Sequence, residues 1–358
     1  MSSEDLDDEP QSPGWDAIDA ALAKVYGDTE PLHYGTVIPA MLGGNNPLPG
    51  ISAYRRDEPT PHWHFVTYGY SDLYDNETSD QDESGFGIEM TMRVARQPGE
   101  QEPEPWALNL LQNLARYVFS SGNVFGPGHT MPTNGPIKVG DKTLLRNLGF
   151  VLDPELPPID TPNGHVEFVQ AVGLTDDEYN AMRQWDGSSF LTTMMDFQPL
   201  AVTDLGRTSL LKSEAFAGRV QEGIERDGSN CEIINAGDLK VEPDDAGGLV
   251  ITIGALYVDQ LTTVGYSRLA HARPLLVLGN EAGFLLSPAE SAEVKLLEME
   301  GDEMWSVNLR PEDAAELRSS LAAKAGSYRL ASLSAVTFKV VPTPVLDHEG
   351  NVSHVVGE

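Results

Sequence analysis

The sequence predicts an α+β protein in two domains, each a mixed or antiparallel sheet with packed helices. Three observations lead there. Runs with a two-residue apolar period stand beside helices with a 3.6-residue period in the first 200 residues. The regular pattern then lapses over 199–218, and a second mixture of strands and helices follows it. With 358 residues, each domain can bury a core of its own. The expected division is an acidic flexible tail at 1–11, domains at 12–205 and 206–345, and a frayed tail at 346–358.

In chain order, SPGWDAIDAALAKVYG at 12–27 has Ser12 as N-cap, Pro13 at the first helical position, apolar Trp15, Ile18, Leu22 and Val25, and a closing Gly27. It predicts an amphipathic helix. Strands follow at 62–70 and at 86–94, where Ile88, Met90, Met92 and Val94 alternate with polar neighbours. Residues 104–121 start with Pro105, stop before Gly122 and repeat Leu108, Leu111, Ala115, Val118 and Phe119 at helical spacing. A loop-rich stretch spans 122–164, then a strand at 165–172 and a helix at 175–187 opened by a Thr175/Glu178 capping box. The second domain is expected to hold a helix at 213–227, strands at 248–258 and 273–286, helices opening at 287–290 and 310–313, and a last strand at 327–341.

Composition narrows the function. Net charge is −32 and the basic residues form no stripe, which disfavours direct nucleic-acid binding. A surface this negative steers basic protein partners, raising association rates by ~10–10³-fold at low salt. The single cysteine, Cys231, excludes a disulfide framework and a CxxC zinc site. No stretch reaches the ~20 apolar residues of a membrane span, and the acidic start is unlike a secretory signal. A cytoplasmic protein without membrane contact is expected.

One stretch invites a catalytic reading. HWHFVTYGYSDLY at 62–74 places His62 and His64 on one face of a strand, where both can reach one ion. A catalytic zinc needs a third ligand, and Asp72, Glu83, Glu89, His33, His129 and His165 are open candidates. The alternative is that each imidazole simply serves the sheet. Other chemistry is weaker: no GxSxG elbow or phosphate loop occurs, and Cys231 lacks an activating environment. Acidic pairs such as Asp176/Asp177 and Asp244/Asp245 are expected by chance among 55 carboxylates. The aromatic density of Trp63, Phe65, Tyr68, Tyr70 and Tyr74 suits a core or an interface.

Several stretches together resemble the Suppressor of fused family. They are PLPGISAYRRDEPTPHWHFVTYGYSDLY at 47–74, SGFGIEMTMRV at 84–94, WALNLLQNLARYVFSSGNVFGPGH at 106–129, TPNGHVEFVQAVGLTDDE at 161–178, QWDG at 184–187, VTDLGR at 202–207 and RVQEGIERDGSN at 219–230. They stand in family order over roughly 20–230, and the likeness weakens over 231–345. The resemblance implies two α+β domains joined by a hinge and no catalytic activity or cofactor. In animal members it implies a clamp that takes a short segment of a Gli-type transcription factor as an added strand.

This chain departs from that pattern in two places. VEPDDAGG stands where animal members carry a long insertion, and GPGH at 126–129 offers His129 but no groove aspartate. The compact form resembles the bacterial branch, whose members resemble immunity proteins of polymorphic toxin systems. The expectation is therefore a non-enzymatic module that neutralises a cognate, basic toxin domain through an interdomain cleft. A regulator sequestering a transcription factor is the alternative, and a metal-dependent hydrolase using His62 and His64 the more distant one. Tyr117, His129, Phe125, Tyr68 and Tyr70 are the expected contact residues. His62, Trp63, His64, Asp72 and Tyr74 are the expected structural motif.

Overall fold

A computed structural model describes residues 11–36, 43–75, 82–245, 247–299, 302–346 and 351–358. The acidic tail expected at 1–11 lies outside these residues except for its last position. Two compact units emerge: the chain up to Asp176 with Leu191–Leu210, and Asp177–Phe190 with Leu211–Glu358. Both mix helices and strands, so the α+β class holds.

The first unit opens with helix α1 (Pro13–Tyr26), where Pro13 takes the first turn but Ser12 makes no side-chain capping bond. Strands β1 (Leu32–Gly35), β2 (Gly50–Arg56), β3 (His62–Tyr68) and β4 (Glu83–Ala95) precede helix α2 (Pro105–Ser121). Pro105 starts α2, and Gly122 ends it in the left-handed region at φ 73°, its N–H donating to Val118 O at 2.8 Å. Strands β5 (Thr130–Pro132), β6 (Asn147–Leu152), β7 (Ile159–Thr161) and β8 (Gly164–Leu174) complete the unit. The sheet order is β1-β2-β3-β4-β8-β6-β5 with β7 on β8, antiparallel except where β4 meets β8.

Helices cover both faces of this sheet. Ala107, Leu111, Leu114, Ala115 and Val118 of α2 pack with Trp63, Phe65, Met90, Met92 and Phe150. Ile18, Ala21, Leu22 and Tyr26 of α1 pack with Tyr54, Val66, Tyr68 and Phe168 on the other face. Each such large apolar side chain contributes roughly 1.5–3 kcal/mol by leaving water. The consequence for β3 is that all seven residues are buried. In β4 the polar partners of the apolar row, Glu89, Thr91 and Arg93, are buried as completely as the row itself.

Helices α3 (Asp176–Arg183), α4 (Gly187–Met195) and α5 (Glu214–Asp227) follow, the last capped by Ser213, whose side chain accepts from Phe216 N. The second unit then forms β9 (Ile233–Asn235), β10 (Lys240–Pro243), β11 (Leu249–Gly254), helix α6 (Ala255–Ala270), β12 (Leu275–Leu278), β13 (Gly283–Pro288), β14 (Glu293–Met299) and β15 (Asp302–Leu309). Helix α7 (Ala315–Ser320) and strands β16 (Gly326–Arg329), β17 (Val336–Val341), β18 (Thr343–Leu346) and β19 (Val352–Val356) close it. The sheets are β10-β11-β17-β16, β14-β15-β13-β12-β9 and the hairpin β18-β19.

Four expectations in this half are corrected. The strand expected over 248–258 stops at Gly254, because Ala255 begins α6, whose Val258, Leu261, Val264 and Leu269 are enclosed in the core. SPAE at 287–290 opens no helix: Pro288 pairs with Leu309 as the end of β13, and the alternating residues beyond form β14. The strand expected over 327–341 is two strands, β16 and β17, with a turn between them. Val352–Val356, expected to fray, pairs with β18, while residues 347–350 lie outside the described ones.

Candidate functional site

The register of β3 decides the histidine question. His64 sits opposite Tyr54 of β2 and Arg93 of β4 and is fully buried. Its Nε2 lies 3.1 Å from Asp153 Oδ2 and its Nδ1 2.5 Å from Tyr26 Oη. An ionised Asp153 can only accept, so Nε2–H donates to it and Nδ1 accepts the tyrosine hydroxyl proton. Burial, with Arg93 nearby, lowers the His64 pKa to about 4, and the ring is neutral at pH 7. Neither nitrogen keeps a lone pair for an ion. His62 donates from Nδ1 to Thr60 O at 2.6 Å, and its buried Nε2 has no hydrogen-bond partner. Among the described residues no group of three or more His, Cys, Asp or Glu is placed to share an ion.

Around His64 runs a network that sequence patterns did not reveal. Arg93 grips Asp153 with two nitrogens, at 2.6 and 3.0 Å, and also donates to Glu155 at 3.1 Å and to Gln170. Asp153 further accepts from Thr91 Oγ1 at 2.7 Å and from the N–H groups of Glu155 and Leu156. Burial would raise the Asp153 carboxyl, but His64 and the Arg93 guanidinium hold it well below the carboxylate range. Tyr26, which bonds His64, is also stacked on Tyr54 with centroids 4.0 Å apart. The network thus ties α1 to the sheet, with His64, Arg93 and Asp153 themselves buried.

The GYSDLY half of the motif is organised by Glu89. Its carboxylate accepts from Gly69 N at 2.8 Å, Ser71 N at 3.0 Å, Ser71 Oγ at 2.7 Å and Thr67 Oγ1 at 2.6 Å. Burial raises its pKa to about 7 against those bonds. Asp72 and Tyr74 act through their backbone, both carbonyls accepting from Asn163 Nδ2. Leu73 O receives Gly14 N of α1 at 3.1 Å, and a Cβ on Gly14 would stand 2.1 Å from Asp72 O. Only glycine lets the helix start approach so closely.

The expected contact residues separate into two groups. Tyr117, on the last turn of α2, is 39% exposed, and His129, just before β5 in the chain, is exposed as well. Phe119, which was not among the expected residues, is 44% exposed and meets Phe86 edge-on with centroids 4.9 Å apart. Tyr68, Tyr70 and Phe125 are instead buried, which corrects their expected place at a surface. Tyr68 stacks on Trp15 and donates to Asp19 at 2.7 Å, Tyr70 donates to Met90 Sδ, and Phe125 stacks on Phe150 with centroids 4.3 Å apart. For Tyr68 the reason is general, since with a helix on each face neither side of an aromatic strand reaches water, whereas Tyr70 and Phe125 are loop residues folded into the core beside α2. Phe125 still props Tyr117 from below, centroids 5.4 Å apart.

At β5 the sheet ends. β5 is its edge, with no further strand beyond it among the described residues. His129 O accepts from Phe150 N and Thr133 N donates to Arg146 O, so 129, 131 and 133 face β6. Alternation leaves Thr130 N–H, Thr130 C=O and Pro132 C=O pointing outward.

A family model described as Suppressor of fused protein (SUFU) matches residues 44–208, the span that holds β3, α2, the β5 edge and the buried network apart from Tyr26. The human and mouse Suppressor of fused homologs are each 35% identical over 253 residues, 65% of this chain and 52% of theirs. The chain belongs to the Suppressor of fused family. It spans about half the length of those curated relatives. Drosophila Suppressor of fused has the same fold, with TM-score 0.74 and 23% identity over 95% of this chain and 99% of that one. A chain of the Sufu-Fu complex crystal structure is 31% identical, with TM-score 0.56 over 61% of this chain and 99% of that one. Within HWHFVTYGYSDLY, His64 bonds Tyr26 of α1 and Asp153, His62 bonds Thr60, and the carbonyls of Asp72 and Tyr74 accept from Asn163. No helix among the described residues is long and apolar enough to cross a membrane.

Proposed function

We propose that this Suppressor of fused member is a non-enzymatic, cytoplasmic protein-binding module that captures an extended segment of a partner protein as a strand added to β5. The observation that carries the reading is the open edge at Thr130–Pro132, with exposed His129 just before it in the chain and exposed Tyr117 packed on Phe125, which stacks on Phe150 of the neighbouring β6. Strand addition takes affinity from main-chain bonds and specificity from neighbouring side chains. Sequestering an intracellular regulator is the preferred role, supported by family membership and by a relative solved in a Sufu-Fu complex. Neutralising a basic toxin domain is the second reading, favoured by the net charge of −32.

Thr130→Pro tests the edge directly. It removes the one outward N–H and sets a proline ring on the edge, while Met131 keeps its pairing with Leu148. Capture from the native host, identified by mass spectrometry, is expected to yield a protein partner that Thr130→Pro loses by about tenfold or more. A transcriptional regulator in the capture supports the first role and a basic toxin domain the second. Recovery of no partner at low and moderate salt overturns both, and undiminished capture by Thr130→Pro overturns the β5 site.

A further inference from the structure

At the other end of α2 from Tyr117 the first unit holds a pocket of about 310 Å³ that the β5 edge does not use. Its apolar wall is Trp63, Phe65, Trp106 and Leu205, and its polar rim is Glu100, Glu104, Lys138 and Asp141. The size is at the low end of ligand sites, suited to one long side chain rather than a cofactor.

The rim is built rather than incidental. Glu100 is fixed by Trp63 Nε1 at 3.1 Å and Gln97 N at 2.8 Å, so the indole and the carboxylate are held as a unit. Lys138 is bound by Glu104 at 2.5 Å and stands 3.5 Å from Asp141. Three carboxylates against one ammonium leave the rim at −2, on a chain already at −32. These carboxylates are not grouped for a metal ion among the described residues, and the indole rings of Trp63 and Trp106 in the same lining suit an organic cation. Of the two basic side chains, arginine is planar, stacks on indole and pairs with carboxylates through a fork of donors.

We propose that this pocket receives an arginine side chain carried by the partner protein. The source of the arginine rests on the protein-binding role proposed above, but the pocket and the edge fail separately because they share no residue. Trp106 and Tyr117 are eleven positions apart on one helix, roughly 16 Å along its axis. An extended segment spans that distance in about five residues, so the arginine would lie at least that far from the residues paired to β5.

The test is titration of the full chain with the peptide acetyl-Gly-Arg-Gly-amide, followed through the indole N–H resonances in NMR, with Trp106→Phe used for assignment. Saturable shifts at Trp63 and Trp106 are expected, with the citrulline peptide, isosteric but uncharged, weaker by about tenfold or more. Glu104→Gln combined with Asp141→Asn, which loosens Lys138, should weaken the arginine peptide about fivefold while the unfolding temperature falls by only a few degrees, roughly what partly exposed pairs contribute. No shift up to ~50 mM peptide, a millimolar-scale limit, or equal binding of the citrulline peptide, overturns the proposal. Binding unaffected by the double variant overturns it as well.

Discussion

Glu89 and Asp153 are both carboxylates sealed inside the same unit, each held by several donors, and they come to rest on opposite sides of the ordinary carboxylate range. Glu89 has a hydroxyl pair and two backbone N–H groups, and burial carries it up to about 7. Asp153 has comparable neutral donors and, in addition, the two-pronged Arg93, which together with His64 keeps it well below its usual value. Neutral hydrogen bonds moderate the burial penalty, and a guanidinium at contact distance reverses it. Burial alone says little about charge. The neighbour does.

The difference can be broken at Asp153. Asp153→Ala leaves the buried Arg93 guanidinium with only the single carboxylate contact to Glu155 in place of its two-pronged partner, and should cost about 3 kcal/mol in guanidinium denaturation. A loss under ~1 kcal/mol would mean the pair is not buried as described. Arg93→Met is the complementary cut and should make Asp153 resemble Glu89. A loss of about 3–4 kcal/mol at pH 7 is expected, shrinking towards pH 5 as Asp153 gains a proton. A loss independent of pH would contradict that conversion.

Glu89→Gln sharpens the comparison through pH. The folded chain holds a proton on Glu89 up to about 7 while the ordinary value is 4.5, so this group's contribution to stability falls as pH rises through that window. His64 works the other way: its folded value of about 4 lies below the ordinary 6.5, so stability rises with pH between them. Over pH 4.5–6.5 the two oppose. Glu89→Gln removes the first slope, by at most about 3 kcal/mol, and should leave stability climbing with pH up to 6.5. Denaturation midpoints at pH 4.5, 5.5, 6.5 and 7.5 give the answer, and identical profiles for variant and parent would refute the Glu89 assignment. At the small end, Tyr117→Ala removes an exposed ring and should change stability by no more than about 0.5 kcal/mol. A larger change would make Tyr117 part of the core rather than of a contact surface.

What could be read beforehand was whatever a short window encodes. Pro105, the helical repeat and Gly122 bound α2 within the sequence itself, and the HWH strand and its motif were equally plain. α6 was hidden because its apolar residues run around the helix and merge with the preceding strand, so no amphipathic period marks the change at Ala255. The polar row of β4 was visible as alternation, but its burial depends on α1 covering that face, which no local pattern records. Arg93 and Asp153 are 60 positions apart, and their pairing exists only once β4, β8 and β6 are adjacent. For the same reason Tyr68 looked like a surface aromatic until both faces of the sheet were occupied.

The brevity of β5 has a consequence for solubility. An unpaired edge invites copies of the same chain to stack strand on strand, the usual start of aggregation. Three residues, one of them Pro132 with no N–H to give, leave too short a template for that growth. The same brevity limits a true partner to a few ladder bonds of about 0.5–1.5 kcal/mol each. An edge that refuses its own copies must therefore leave most of its discrimination to the side chains around it.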